Sequence, residues 1–183
     1  MTTPDNTSPT PPESNIVLRL VAVGILLAAA GVFSFWFFTC PCDRMPGGFL
    51  LGPEVDEAVD DWAFANDVEL CQIQIHAGLL PHSINLNCMA ASTGELYLSC
   101  SQCDGKRWSN AVLTDTRARI RLGEAVYPVT VTRVTDPDEL DRAWAARLGK
   151  LENVATSDNP AAPLDTPRPD HWWSFRLVSR PVS

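Results

Sequence analysis

Residues 117–134 read RARIRLGEAVYPVTVTRV. Ala118, Ile120 and Leu122 alternate with Arg117, Arg119 and Arg121, the period of two that a strand shows when one face is buried. Gly123-Glu124 interrupts the alternation as a turn, and Ala125 to Val134 resumes an extended pattern. The stretch predicts a hairpin. Directly after it, Asp136 is placed as a helix N-cap with Pro137 at the first helical position and Glu139 at the third. Leu140, Trp144 and Leu148 then fall at i, i+4 and i+8 on one helix face.

Working outward, the same alternation recurs on both sides. Cys71, Ile73 and Ile75 share one face of a strand near 68–76, opposite Gln72, Gln74 and His76. Ile84, Leu86 and Cys88 alternate with Ser83, Asn85 and Asn87, and Ser92-Thr93-Gly94-Glu95 turns into a strand at Leu96 to Cys100. Lys106 to Leu113 predicts a short helix, residues 152–170 with four prolines a loop, and Trp173 to Val178 the last strand. Connections this short join antiparallel neighbours and leave no room for parallel crossovers, so the expected class is mainly β (α+β), a small barrel with two short helices.

The chain has 183 residues, 14 Lys+Arg against 22 Asp+Glu and a formal charge of −8, which argues against a nucleic-acid partner because phosphate would be repelled over most of the surface. The charge is unevenly spread. Residues 1–15 hold four prolines and no basic side chain and are expected to be a disordered tail. Ile16 to Phe38 is apolar except for Arg19, long enough to cross a ~30 Å hydrocarbon core, and is read as a single retained transmembrane helix. A cleaved signal peptide is its rival, opposed by the length and by the lack of a small-x-small site. Residues 39–59 are taken as a linker and 60–183 as the folded domain. Arg19 against Arg44 is nearly a tie in the positive-inside count, so the side on which the domain lies stays open.

No Lys or Arg separates Arg44 from Lys106, and then five occur in sixteen positions. Lys106 and Arg107 stand where a loop enters a helix, and two cations beside exposed backbone N–H groups would seat a phosphate. A solvated basic helix end is the plainer alternative. Of Arg117, Arg119 and Arg121, at least two are expected simply to face solvent.

The order of Gly94-Glu95-Leu96-Tyr97-Leu98, Lys106-Arg107-Trp108, Asn110, Asp115, Arg117, Gly123-Glu124 and Val134-Thr135-Asp136-Pro137-Asp138-Glu139 resembles the FMN-binding split barrels. These include the pyridoxamine-phosphate-oxidase-like and deazaflavin-dependent nitroreductase-like proteins. The resemblance covers roughly residues 60–180. It implies a split β-barrel, a cofactor phosphate held by Lys106, Arg107 and Trp108, and a flavin ring approached by Asn85 and Asn87. It further implies FMN or an F420-type deazaflavin as cofactor, oxidoreductase chemistry and a homodimer. The sequence departs from the pattern at Thr116, where proline is usual, and at Cys100 and Cys103, where small residues are usual. No catalytic residue is assigned.

Cysteine supplies the alternatives. Cys100-Ser-Gln-Cys103 lies between a strand and a helix, a setting that lowers thiol pKa values in dithiol oxidoreductases. With Cys40 and Cys42 it makes a four-thiolate zinc site arithmetically possible, although a C-x-C in the linker is poor spacing for one. A structural or oxidisable pair is the preferred reading, and Cys71 and Cys88 are expected to be core residues. His76, His82 and His171 are not at metal-ligand spacing, so no metal site is expected. The function expected is a membrane-anchored flavin- or deazaflavin-binding oxidoreductase. A non-catalytic anchored barrel serving as a scaffold, or a thiol or zinc protein, is the alternative.

Overall fold

The computed structural model describes residues 14–39, 41, 45–157 and 159–181. It forms two compact units, residues 1–36 and 37–183. The first contains most of α1 (Ser14–Thr39), a 26-residue helix about 39 Å long with no buried residue in its apolar window. By length and composition it is a candidate membrane span. Most of the expected tail, together with Cys40, Cys42 and Arg44, lies outside the described residues.

The second unit is a closed antiparallel barrel. Its strands are β1 (Cys71–Ala77), β2 (Leu80–Ala90), β3 (Leu96–Cys100), β4 (Arg117–Leu122), β5 (Ala125–Arg133) and β6 (Trp173–Ser179), in the order β1-β2-β3-β6-β5-β4 with β4 returning to β1. The hairpin expected over residues 117–134 is present, with Leu122 opposite Ala125 and Arg117 opposite Thr130. Gly123 has φ of 61° at its turn, a conformation any side chain would strain. The mainly β split-barrel class is the observed one.

Alternation fills the interior. Ile73, Ile75, Leu96, Leu98, Ile120, Val129, Val131, Phe175 and Leu177 are buried in one cluster. Trp108 and Val112 of α2 (Arg107–Thr114) join it, with the Trp108 ring 5.1 Å from that of Phe175. A 3₁₀ turn (Ala63–Asp67) adds Trp62 and Ala65. At roughly 25 cal/mol per Å2 of apolar area removed from water, this interior is the main stabilising term.

A second cluster forms outside the barrel wall, where Met89 and Tyr97 pack on Val134 and Ala143. Ala143 belongs to α3 (Pro137–Val154), which begins as its sequence predicts: Asp136 Oδ1 accepts from Glu139 N at 2.9 Å, with Pro137 in the first turn. This helix spans 18 residues and is the second of the two expected in the barrel domain. The helix also buries Arg147 and Lys150, which the sequence reading passed over.

Part of the expected linker is bound to the barrel. Gly47 bridges Ser83, Glu54 bridges Val126, and Leu50 is 2% exposed. Leu50 N donates to Gln74 Oε1 at 2.7 Å, and Arg119 donates to Leu50 O, Gln74 Oε1 and Glu54 Oε2 at 3.0–3.2 Å. Arg121 donates to Leu51 O. The expectation that at least two of Arg117, Arg119 and Arg121 face solvent is corrected: Arg119 and Arg121 hold this strap, and Arg117 pairs locally with Asp115. The strap also explains why Gln74, on the polar face of β1, is buried.

Candidate functional site

On β2, inward Ile84, Leu86 and Cys88 turn Asn85 and Asn87 outward, and on β3 inward Leu98 turns Ser99 outward. Asn87 and Ser99 are direct partners across the two strands. Along this outer wall lies a cleft of about 520 Å3, within the ~300–1,000 Å3 of small-molecule sites. Its other sides come from the start of α2, from α3 and from the loop after α3.

Four of the five expected cofactor residues line this cleft together: Asn85, Asn87, Lys106 and Trp108. Trp108 is 3% exposed, so it serves the core as much as the cleft. Arg107 is placed elsewhere. Its Nη2 donates to Ala77 O at 3.1 Å, at the end of β1, and its charge joins burial in lowering the pKa of His82. The first helical residue thus turns away from the cleft while the N-cap residue Lys106 faces it.

Three further groups complete the wall and were not read from the sequence. Arg147 comes from α3, 7% exposed, with its guanidinium 4.5 Å from the Trp172 ring centre. Arg147 Nη2 donates to Asn159 Oδ1 at 3.1 Å, and Asn87 Nδ2 donates to the same oxygen at 3.1 Å. Burial lowers the Arg147 pKa to about 10, which leaves it charged at neutral pH. The third group is Ser99, whose hydroxyl is buried without a hydrogen-bond partner in the wall of the cleft. A buried hydroxyl left unpaired costs about 1–3 kcal/mol.

Position in the helix holds the one available clue to Arg147. It follows Ala143 by four residues, on a face adjoining the Leu140–Trp144–Leu148 stripe, where a cation needs a partner inside the fold. Nothing local marks Asn159 or Ser99.

Lys150, on the next turn of α3, serves a different purpose. Its Nζ donates to Ala65 O at 3.0 Å, to Cys88 O at 2.7 Å and to Val68 O, tying helix, 3₁₀ turn and β2 together. Burial brings its pKa down to about 8, with Asp67 and Glu69 opposing. The core cysteines Cys71 and Cys88 are joined across β1 and β2, and Cys100 is joined to Cys103 at the cleft. Among the described residues no group of three or more His, Cys, Asp or Glu side chains is arranged to hold a metal.

Lys106 stands beside the N–H groups of the α2 start, a setting that favours an anion, Asn85, Asn87 and Ser99 bring donors and acceptors to the wall, and Trp172 offers an aromatic surface.

Solved structures that resemble this closed six-stranded barrel include pyridoxamine-phosphate-oxidase-like FMN-binding split barrels and NimC/NimA-like proteins. A NimC/NimA family protein from Clostridium acetobutylicum is 13% identical, with TM-score 0.42, over 63% of this chain and 76% of that one. An FAD-binding protein from Mesorhizobium loti is 12% identical, with TM-score 0.44, over 64% and 85%. A pyridoxamine 5'-phosphate oxidase-related, FMN-binding protein from Nostoc punctiforme is 12% identical, with TM-score 0.35, over 64% and 72%. No family model matches the sequence, and no curated protein matches it.

Proposed function

We propose that this protein is a membrane-anchored split barrel that binds a flavin-type cofactor in the cleft between β2, β3, α2 and α3, and acts as an oxidoreductase. The observation that carries the reading is the convergence in one cleft of Lys106 at a helix start, Asn85 and Asn87 on one strand face, and the unpartnered Ser99 hydroxyl. Lys106 would hold the phosphate of FMN or of an F420-type deazaflavin. Asn85, Asn87 and Ser99 would orient the ring edge, and Trp172, fixed by Arg147, would cover it and exclude water. When bound, such a group supplies hydride or two-electron transfer, and the protein supplies its position. The helix from Ile16 to Phe38 would hold the barrel at a bilayer.

The test is the absorbance spectrum of full-length protein purified in mild detergent, followed by titration with FMN and a deazaflavin. Saturable binding at micromolar concentration supports the reading. If neither binds, the barrel is better taken as an anchored scaffold module.

A further inference from the structure

Cys100 and Cys103 are close in sequence, and this decides what their bond can do. A link between residues three apart closes so small a loop that it restrains the unfolded chain little, whereas Cys71–Cys88 spans 17 positions. The effect of the short link therefore falls on its neighbourhood. Cys100 ends β3 and lines the cleft beside Ser99 and Ser101, while Cys103 is 1% exposed. Cys103 O accepts from Lys106 N at 3.2 Å and from the Ser109 hydroxyl, so its carbonyl anchors the residue that caps α2. Lys106 in turn lines the cleft. The sulfur pair is thus one peptide segment away from the charge that would seat a phosphate.

We propose that Cys100 and Cys103 are a redox switch built into the cleft wall, the disulfide form presenting Lys106 to a phosphate-bearing ligand and the dithiol form releasing it. The inference rests on the ligand reading above for what is bound, and on the loop geometry for the switch. Oxidation uses a low-molecular-weight disulfide. The Cys100 thiolate, 6% exposed and bordering the cleft, attacks one of its sulfurs and expels one thiol. The Cys103 sulfur then attacks Cys100, expelling the second. The protein loses two electrons and two protons as thiol hydrogens, and the small disulfide becomes two thiols. By linkage, a ligand that prefers the disulfide form makes the pair harder to reduce.

The experiment uses the full chain in detergent, with FMN titrated into its disulfide and dithiol forms and the state of each cysteine mapped by alkylation and peptide mass. FMN should bind at least ~10-fold more weakly to the dithiol form. Each tenfold should appear as a shift of about 30 mV to more negative midpoint potential at saturating FMN. Cys100→Ser/Cys103→Ser should bind FMN as the dithiol form does and ignore reductant. Equal affinity in both forms overturns the switch while leaving the flavin reading intact. A reductant response that persists in the double variant also overturns it, because the effect then belongs to one of the four remaining cysteines, Cys40, Cys42, Cys71 or Cys88. Ligand-free amide exchange over residues 101–110 gives an independent reading. If FMN binds neither form, faster exchange on reduction keeps the switch and removes the flavin, and unchanged exchange removes both.

Discussion

Arg147 and Asn87 share one acceptor: both donate to Asn159 Oδ1 at 3.1 Å, so a helix cation and a strand amide fix the same loop residue. Trp144 Nε1 adds a bond to Thr166 O at 2.7 Å, and Trp144 and Trp172 meet edge to face at 5.2 Å. The loop after α3 is thereby held as a wall.

Replacing Arg147 by Met should free that wall. The loss of a charged hydrogen bond and of the stacked Trp172 predicts a destabilisation of about 1–3 kcal/mol. Denaturant midpoints would measure it. Limited proteolysis should show cutting within residues 155–171 before the barrel strands are reached, and unchanged proteolysis would count against the wall.

Lys106→Ala should weaken FMN binding by about 1.5–3 kcal/mol, roughly tenfold to a hundredfold. Arg107→Ala should change it little, because that guanidinium is engaged with Ala77 O. Equal losses from the two variants would place the phosphate elsewhere.

Lys150 sets a pH dependence. Its folded pKa, about 8, lies below the ordinary lysine value of 10.5, so the unfolded chain binds the proton more tightly. Unfolding then takes up protons between these values. The contribution is fully present above the unfolded pKa and is lost as pH falls through about 8. Wild type should gain stability relative to Lys150→Met between about pH 7.5 and 10. Parallel curves of denaturant midpoint against pH would contradict this. At neutral pH the variant should still be less stable, since three carbonyls lose their donor.

The strap separates two truncations. Removing residues 1–39 should release a folded barrel from the membrane fraction, and the full chain should stay with lipid on alkaline extraction. Removing residues 1–56 should also strip away Leu50 and two of the three partners of Arg119, Leu50 O and Glu54, lowering stability by about 2–5 kcal/mol. Recovery of the full chain in the soluble fraction would remove the anchor.

Local pattern by itself determined a good deal of this protein. Two-residue alternation at 71–75, 84–88 and 118–122 assigned each strand an inner face, and the Asp136-Pro137 start placed α3, because both signals act between residues a few positions apart. The same alternation set Asn85 and Asn87 on the outer wall, and the loop-to-helix junction singled out Lys106 and Arg107 together, of which the structure brings only Lys106 to the cleft. Only the tertiary structure decided which cations leave solvent. Arg119 looks like its neighbours on β4 until the strap lies over it, and Arg147 and Lys150 look like an ordinary helix surface until Asn159, Ala65 and Cys88 supply acceptors. Those partners lie 12 to 85 positions away. Burial of a charge depends on acceptors that meet it in space, and a sequence pattern carries no record of which distant carbonyl or amide will arrive there.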